Sequence, residues 1–197
     1  MSYEPSAAEV KTLRDKTSAG IMECKAVLKE TEGNIDDAVK LLRERGATKM
    51  AKRADRETGE GVIASYIHGN RVGVLVEVGC ETDFVAGTDE FKAFAHGIAL
   101  QIAALPDTRY ITRDEVPADV VAEEVRLFKL QAADKPEAVQ EKIAEGKLNK
   151  WLSEICLLEQ ASVRDGDVTI EAMRSEIAAK TGENVQVKRF TRYERGA

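Results

Sequence analysis

Cysteine and histidine are scarce in this chain, and each shortage removes a class of chemistry. Aromatics at 5% beside 32% charged residues suggest a mostly helical chain with much solvated surface. Three cysteines, Cys24, Cys80 and Cys156, are too few and too scattered for a disulfide framework, and an odd number cannot all pair within one chain. No Cys-x-x-Cys occurs, and His68 and His96 stand apart, so the sequence offers no ligand set for structural zinc. The expected fate of the thiols is burial, in a cytoplasmic protein. No apolar run approaches the ~20 residues of a membrane helix. The start MSYEPSAAEVKTLRDK lacks the basic-then-hydrophobic order of a signal peptide. Neither a phosphate loop nor a dinucleotide glycine fingerprint is present. Only 4 Pro and 14 Gly in 197 residues argue against disorder and collagen-like repetition. Cations are outnumbered too: 29 Lys and Arg against 35 Asp and Glu leave −6, which argues against a dedicated nucleic-acid binder.

What remains is a globular chain rich in helical patterning. Ser6-Ala7-Ala8-Glu9 fits a capping box, after which Val10 and Leu13 supply an apolar edge up to Thr17. Ser18-Ala19-Gly20 breaks the pattern, and a second helix is expected with Ile21, Cys24 and Leu28 on one face. Asn34 can cap a third, whose Ile35, Ala38, Val39 and Leu42 recur at helical spacing. Gly46 is a possible end, or the helix continues toward Asp55. Three such helices resemble a ubiquitin-associated-type bundle, a fold that docks other proteins.

Gly61 to His68 then reads as a strand, Gly69-Asn70 as a two-residue turn, and Val72, Val74, Val76 and Val78 as the alternation of its partner. A third strand is expected at Val185 to Tyr193. Between them lie helices: one with Phe91, Phe94, Ala95, Ile98, Ile102 and Leu105 on its apolar face, one after Pro117 with Val121, Val125 and Phe128, one from Pro136 running past Gly146 to Leu158, and one with Ile170, Met173 and Ile177 ended by Gly182. The expected fold class is α+β. A ubiquitin-associated-like three-helix bundle over residues 1–55 precedes a core over 56–197, in which a three-stranded antiparallel sheet packs against helices.

Few residues point to chemistry. Neither histidine has a nucleophile shown beside it. The carboxylates lie mainly on helices near Lys or Arg, the pattern of a solvated face. An enzyme has no positive support. Basic segments lie at Lys49 to Arg53 and Lys188 to Arg192. The second mixes cations with an aromatic on a strand, which could serve RNA. Against a net charge of −6, a solvated strand face or a surface for an acidic protein partner is favoured. The segment Thr82-Asp83-Phe84-Val85 lies where the strand pattern stops and the long helix begins. Two readings stand there. Phe84 is an aromatic probe for a partner, or Thr82 caps a helical turn under which Phe84 and Val85 pack; residue physics alone favours the packed form.

Leu13 to Lys25 (LRDKTSAGIMECK) resembles the N-terminal signature of the bacterial elongation factor Ts family, and Glu77 to Ala86 (EVGCETDFVA) resembles its second signature. Leu157-Leu158-Glu159-Gln160 and the closing basic strand are similar as well, so the resemblance spans nearly the whole chain. Gly79, Gly87 and Ala26-Val27 depart from the family's usual residues, while Thr-Asp-Phe-Val is intact. The resemblance is to the short form of the family, and implies a homodimer with the second copy replacing a duplicated module. It further implies guanine-nucleotide exchange on elongation factor Tu, met GDP-bound and nucleotide-free. No cofactor, direct nucleic-acid contact or membrane is implied. Asp83 and Phe84 would intrude near the partner's Mg²⁺ site, with Thr82 and Val85 shaping the loop. Ile21 and Met22, with Leu13 behind them, would contact the partner from the N-terminal bundle.

Overall fold

The capping box forms as the sequence predicts and starts the first helix. In the computed structural model, which describes residues 3–17 and 19–196 and all their side chains except those at 43, 47 and 49–51, Ser6 N donates to Glu9 Oε2 at 2.7 Å. Glu9 N returns a bond to Ser6 Oγ at 3.3 Å, opening α1 (Ala7–Thr17). Ser18, part of the expected break, lies outside the described residues, as do the side chains of Lys49 and Met50 in the first basic segment. Helix α2 (Ile21–Glu30) follows, then α3 (Ile35–Ala51). Asn34 Oδ1 accepts from Asp36 N and Asp37 N at 3.1 and 3.2 Å, the expected cap. Helix α3 runs through Gly46 rather than ending there.

Contacts divide the chain into two compact units, and each is discontinuous in sequence. The first comprises Met1–Gly61, Gly79–Phe91 and Arg174–Gln186. Its apolar core joins α1, α2 and α3 through Val10, Leu13, Cys24, Val27, Leu28, Ala38 and Leu42. Ile21 is not part of this core. The buried face of α2 is Cys24, Val27 and Leu28, and Ile21 is exposed. As the first residue of the helix it has no preceding turn to pack with, so its place in the periodicity does not bury it.

The second unit comprises Val62–Val78, Lys92–Met173 and Val187–Ala197. Its sheet takes most of β1 (Glu60–His68), β2 (Val72–Cys80) and β3 (Gln186–Glu194), in the order β1-β2-β3, antiparallel. Gly69 and Asn70 both have positive φ, 53° and 54°, and Arg71 N donates to His68 O at 2.9 Å. Two left-handed residues in succession are the type I′ turn that matches strand twist, which is why Gly-Asn marks the hairpin. Val74, Val76 and Val78 are buried on one face of β2, as their alternation predicts.

A short α4 (Asp83–Gly87) leads into α5 (Asp89–Ala104), and α6 (Ala118–Leu130), α7 (Glu137–Ile155) and α8 (Ile170–Thr181) complete the α-helices among the described residues, with 3₁₀ turns at Arg113–Glu115 and Leu157–Glu159. Within the second unit, Gln101 at the far end of α5 is buried and fully employed. Its Nε2 donates to Ala161 O at 2.9 Å, and its Oε1 accepts from Val163 N at 2.8 Å. Helices α6 and α7 pack on each other, yet no side chain of α6 is fully buried. Val121, Val125 and Phe128 form the predicted face but are only half-covered.

Candidate protein-contact site

The segment that joins β2 to α5 is built by two threonines. Thr82 is extended (φ −130°, ψ 153°), and its Oγ1 accepts from Val85 N at 3.4 Å, opening α4. Thr88 closes that helix: its N and Oγ1 both donate to Val85 O, at 3.1 and 2.8 Å. The same Oγ1 accepts from Phe91 N at 3.3 Å and so begins α5. One helical turn is thus trapped between two caps.

That geometry decides where the side chains go. Successive helical residues point ~100° apart, so burying Val85 rotates Phe84 outward. Val85 and Ala86 are buried, whereas Phe84 is 81% exposed. The packed reading therefore holds for Val85 and fails for Phe84. Asp83 sits in the first turn, where a carboxylate complements the helix dipole. Asp83, Phe84, Gly87 and Thr88 line an open depression.

Beneath the turn lies a polar web drawn from residues distant in sequence. Glu183 Oε2 accepts from Glu81 N at 2.9 Å and Thr82 N at 3.1 Å, and Glu183 Oε1 accepts from Thr82 Oγ1 at 2.6 Å. Glu81 in turn accepts from Asn184 N at 2.6 Å and pairs with Arg56 at 3.3 Å. Asn184 is buried, and its Nδ2 donates to Ala54 O and Arg56 O at 3.2 and 2.9 Å. Sequence reading missed this web. Its one visible sign is Gly182, which has φ +75° just past the end of α8 and turns the chain so that Glu183 and Asn184 follow at once.

The other expected site residues divide between surface and core. Met22 is 76% exposed and Ile21 54%, side by side at the start of α2, while Leu13 is fully buried in the bundle core. The thiols are buried, and burial raises the pKa of each, Cys156 to about 11. Among the described residues no group of three or more His, Cys, Asp or Glu could hold a metal, and no helix is long and apolar enough to cross a membrane. In the closing strand Arg189 pairs with Glu77 at 2.6 Å and Arg192 with Glu194 at 2.8 Å, so these cations are partly neutralised.

An aromatic held clear of the surface on a capped, cross-linked turn is the build of a protein-contact element, a class of site defined by what it presents rather than by what it encloses. Comparison with known proteins sharpens that class. The family described as Elongation factor TS matches residues 6–197. The chain is 48% identical to elongation factor Ts of Thermotoga neapolitana over 194 residues, covering 98% of each protein. It is 50% identical to that of Desulfotalea psychrophila over 190 residues, covering 95% of this chain and 96% of the relative. It is 52% identical to that of Solidesulfovibrio magneticus over 190 residues, covering 95% and 94%. The chain belongs to the elongation factor Ts family. That membership makes it a factor of translation elongation, of the nucleotide-exchange class.

Proposed function

We propose that this protein binds elongation factor Tu in its GDP state, dislodges Mg²⁺ from the partner's nucleotide site, and releases GDP so that GTP can enter. The observation that carries the reading is Phe84, 81% exposed on a turn whose backbone is fastened on both sides. A rigid aromatic loses little entropy when it enters a partner's crevice, and desolvating it at an interface centre is worth ~2 kcal/mol or more. Asp83 beside it brings a negative charge toward the region where a divalent cation is held. GDP phosphates and Mg²⁺ stabilise one another, so loosening the cation's contacts weakens the nucleotide. By linkage, a factor that lowers GDP affinity is itself bound more weakly by the GDP form, and its tightest complex is the nucleotide-free one. No covalent chemistry is needed. Each ~1.4 kcal/mol removed from the release barrier gives a tenfold rate.

Ile21 and Met22 form a second contact with the partner, carried by the bundle of residues 1–55, and Leu13 supports them from within the core. The chain acts in the cytoplasm, without a cofactor or direct nucleic-acid contact, and as a homodimer. Support for the dimer comes from the sheet, where Ile63, Ile67, Leu75 and Tyr193 are exposed.

The test is release of a fluorescent GDP from elongation factor Tu in excess unlabelled nucleotide. Acceleration by substoichiometric amounts of this protein is expected. A folded protein that binds elongation factor Tu without changing the release rate would be a docking scaffold, and the exchange reading would fail.

A further inference from the structure

We propose that Glu183 is the positioning residue for the exchange turn, acting on the partner only through the orientation it gives Phe84; this rests on the reading of Phe84 as the intruding side chain. The argument is one of constraint. Chain direction at the entry to α4 is set by Glu81 and Thr82, and the single carboxylate of Glu183 takes three donors there: both backbone amides and the Thr82 hydroxyl. A carboxylate is the side chain that can accept all three at once, because its two oxygens offer acceptor sites only. The hydroxyl bond has a further consequence. When Thr82 Oγ1 gives its proton to Glu183 Oε1, its lone pairs are left to receive Val85 N. Glu183 therefore orients the hydroxyl that caps α4, and the cap holds Val85 inward and Phe84 outward.

Glu183 is itself fixed. Gly182 N donates to Ala178 O at 3.0 Å, ending α8 in the left-handed conformation that glycine adopts at little cost. On its other side, Asn184 is buried and bonded to Ala54 O, Arg56 O and Glu81 Oε1. The carboxylate thus projects from a short segment held at both ends. Fixed donors and acceptors of this kind lower the entropy the turn must lose on meeting a partner, and a misplaced tip costs rate even when every contacting residue is present.

The test compares nucleotide release from elongation factor Tu by the full-length wild type, Glu183→Ala, Glu183→Gln, Phe84→Ala and the Glu183→Ala/Phe84→Ala double variant. Glu183→Ala is expected to slow exchange by roughly tenfold, the equivalent of one charge-assisted hydrogen bond at ~1.4 kcal/mol per decade. Glu183→Gln, which keeps an acceptor oxygen and the shape, falls between it and the wild type and serves if the alanine variant does not fold. The decisive readout is the cycle: in the Phe84→Ala background, removing Glu183 costs nothing further. An equal loss in both backgrounds would mean that Glu183 acts elsewhere, and would overturn the proposal. Wild-type exchange by Glu183→Ala, with exchange lost in Phe84→Ala, would overturn it while leaving the intruding Phe84 in place. Full exchange by Phe84→Ala would instead remove the reading on which it rests.

Discussion

The start of α2 and the turn at α4 present the same kind of surface on different foundations. Ile21 and Met22 stand exposed above an apolar core of Leu13, Cys24, Val27 and Leu28, and the residue before them, Gly20, makes no side-chain cap. Phe84 stands exposed above a polar web, with a capping threonine and a carboxylate that takes three donors. An apolar foundation fixes position through volume, so it tolerates modest adjustment and fails when a cavity is made. A hydrogen-bonded foundation fixes direction, and fails when one partner is lost. The difference suits the tasks proposed for them. A peripheral contact needs only a patch, whereas a residue that must reach toward a bound cation needs an aim.

Substitutions break the comparison at graded cost. Leu13→Ala empties the bundle core and is expected to lower stability by ~2–5 kcal/mol, read as a fall in the denaturation midpoint, with Ile21 and Met22 still on the surface. Asn184→Ala removes the buried donor to Arg56 O, leaves Ala54 O with Gln186 Nε2 alone, and is expected to cost ~1–3 kcal/mol, together with faster amide hydrogen exchange at Glu81 and Thr82. Met22→Ala touches no core residue; its expected cost of ~1 kcal/mol falls on affinity for elongation factor Tu, measured by calorimetry, and leaves stability unchanged. Gly87→Ala sharpens the comparison from the other side. A Cβ there meets nothing within 4 Å, so one more helix-favouring residue in α4 is expected to add at most ~1 kcal/mol to stability.

The capping box that opens α1 responds to acid. The Ser6 hydroxyl, the Tyr3 hydroxyl and the Ser6 amide hold the Glu9 carboxyl down to about 2. A carboxyl lowered on folding stabilises the folded chain above its ordinary range and loses that contribution as pH falls toward its folded value. The fastening of α1 should therefore weaken between pH 4.5 and 2, followed by the Glu9 side-chain NMR shift. In Glu9→Gln that dependence should vanish.

How far the sequence reveals these features follows from the range of the interactions. The Ser6–Glu9 box, the Asn34 cap and the Gly69-Asn70 turn are made by neighbours in the chain, and all were legible. So was the alternation of β2. Ile21 misled because periodicity assigns faces but cannot say that a helix's first residue lacks a covering turn. For Phe84 residue physics favours the packed form and the structure overturns it, because the length of α4 decides its direction, and that length is set by Thr82 and Thr88 together. Glu183 and Asn184 were illegible as site residues. A charged residue and an amide after a helix-ending glycine look like any solvated loop, and only the fold brings them under a turn a hundred residues earlier in the chain.

The central claim is that an exposed Phe84, and not the fold around it, drives nucleotide release. The direct measurement is the rate at which Phe84→Ala releases fluorescent GDP from elongation factor Tu, taken on the same preparation as its thermal midpoint. The predicted result is a midpoint corresponding to a stability within ~0.5 kcal/mol of wild type, as for an exposed side chain, with exchange slowed at least tenfold. Wild-type exchange by the folded variant would contradict the claim.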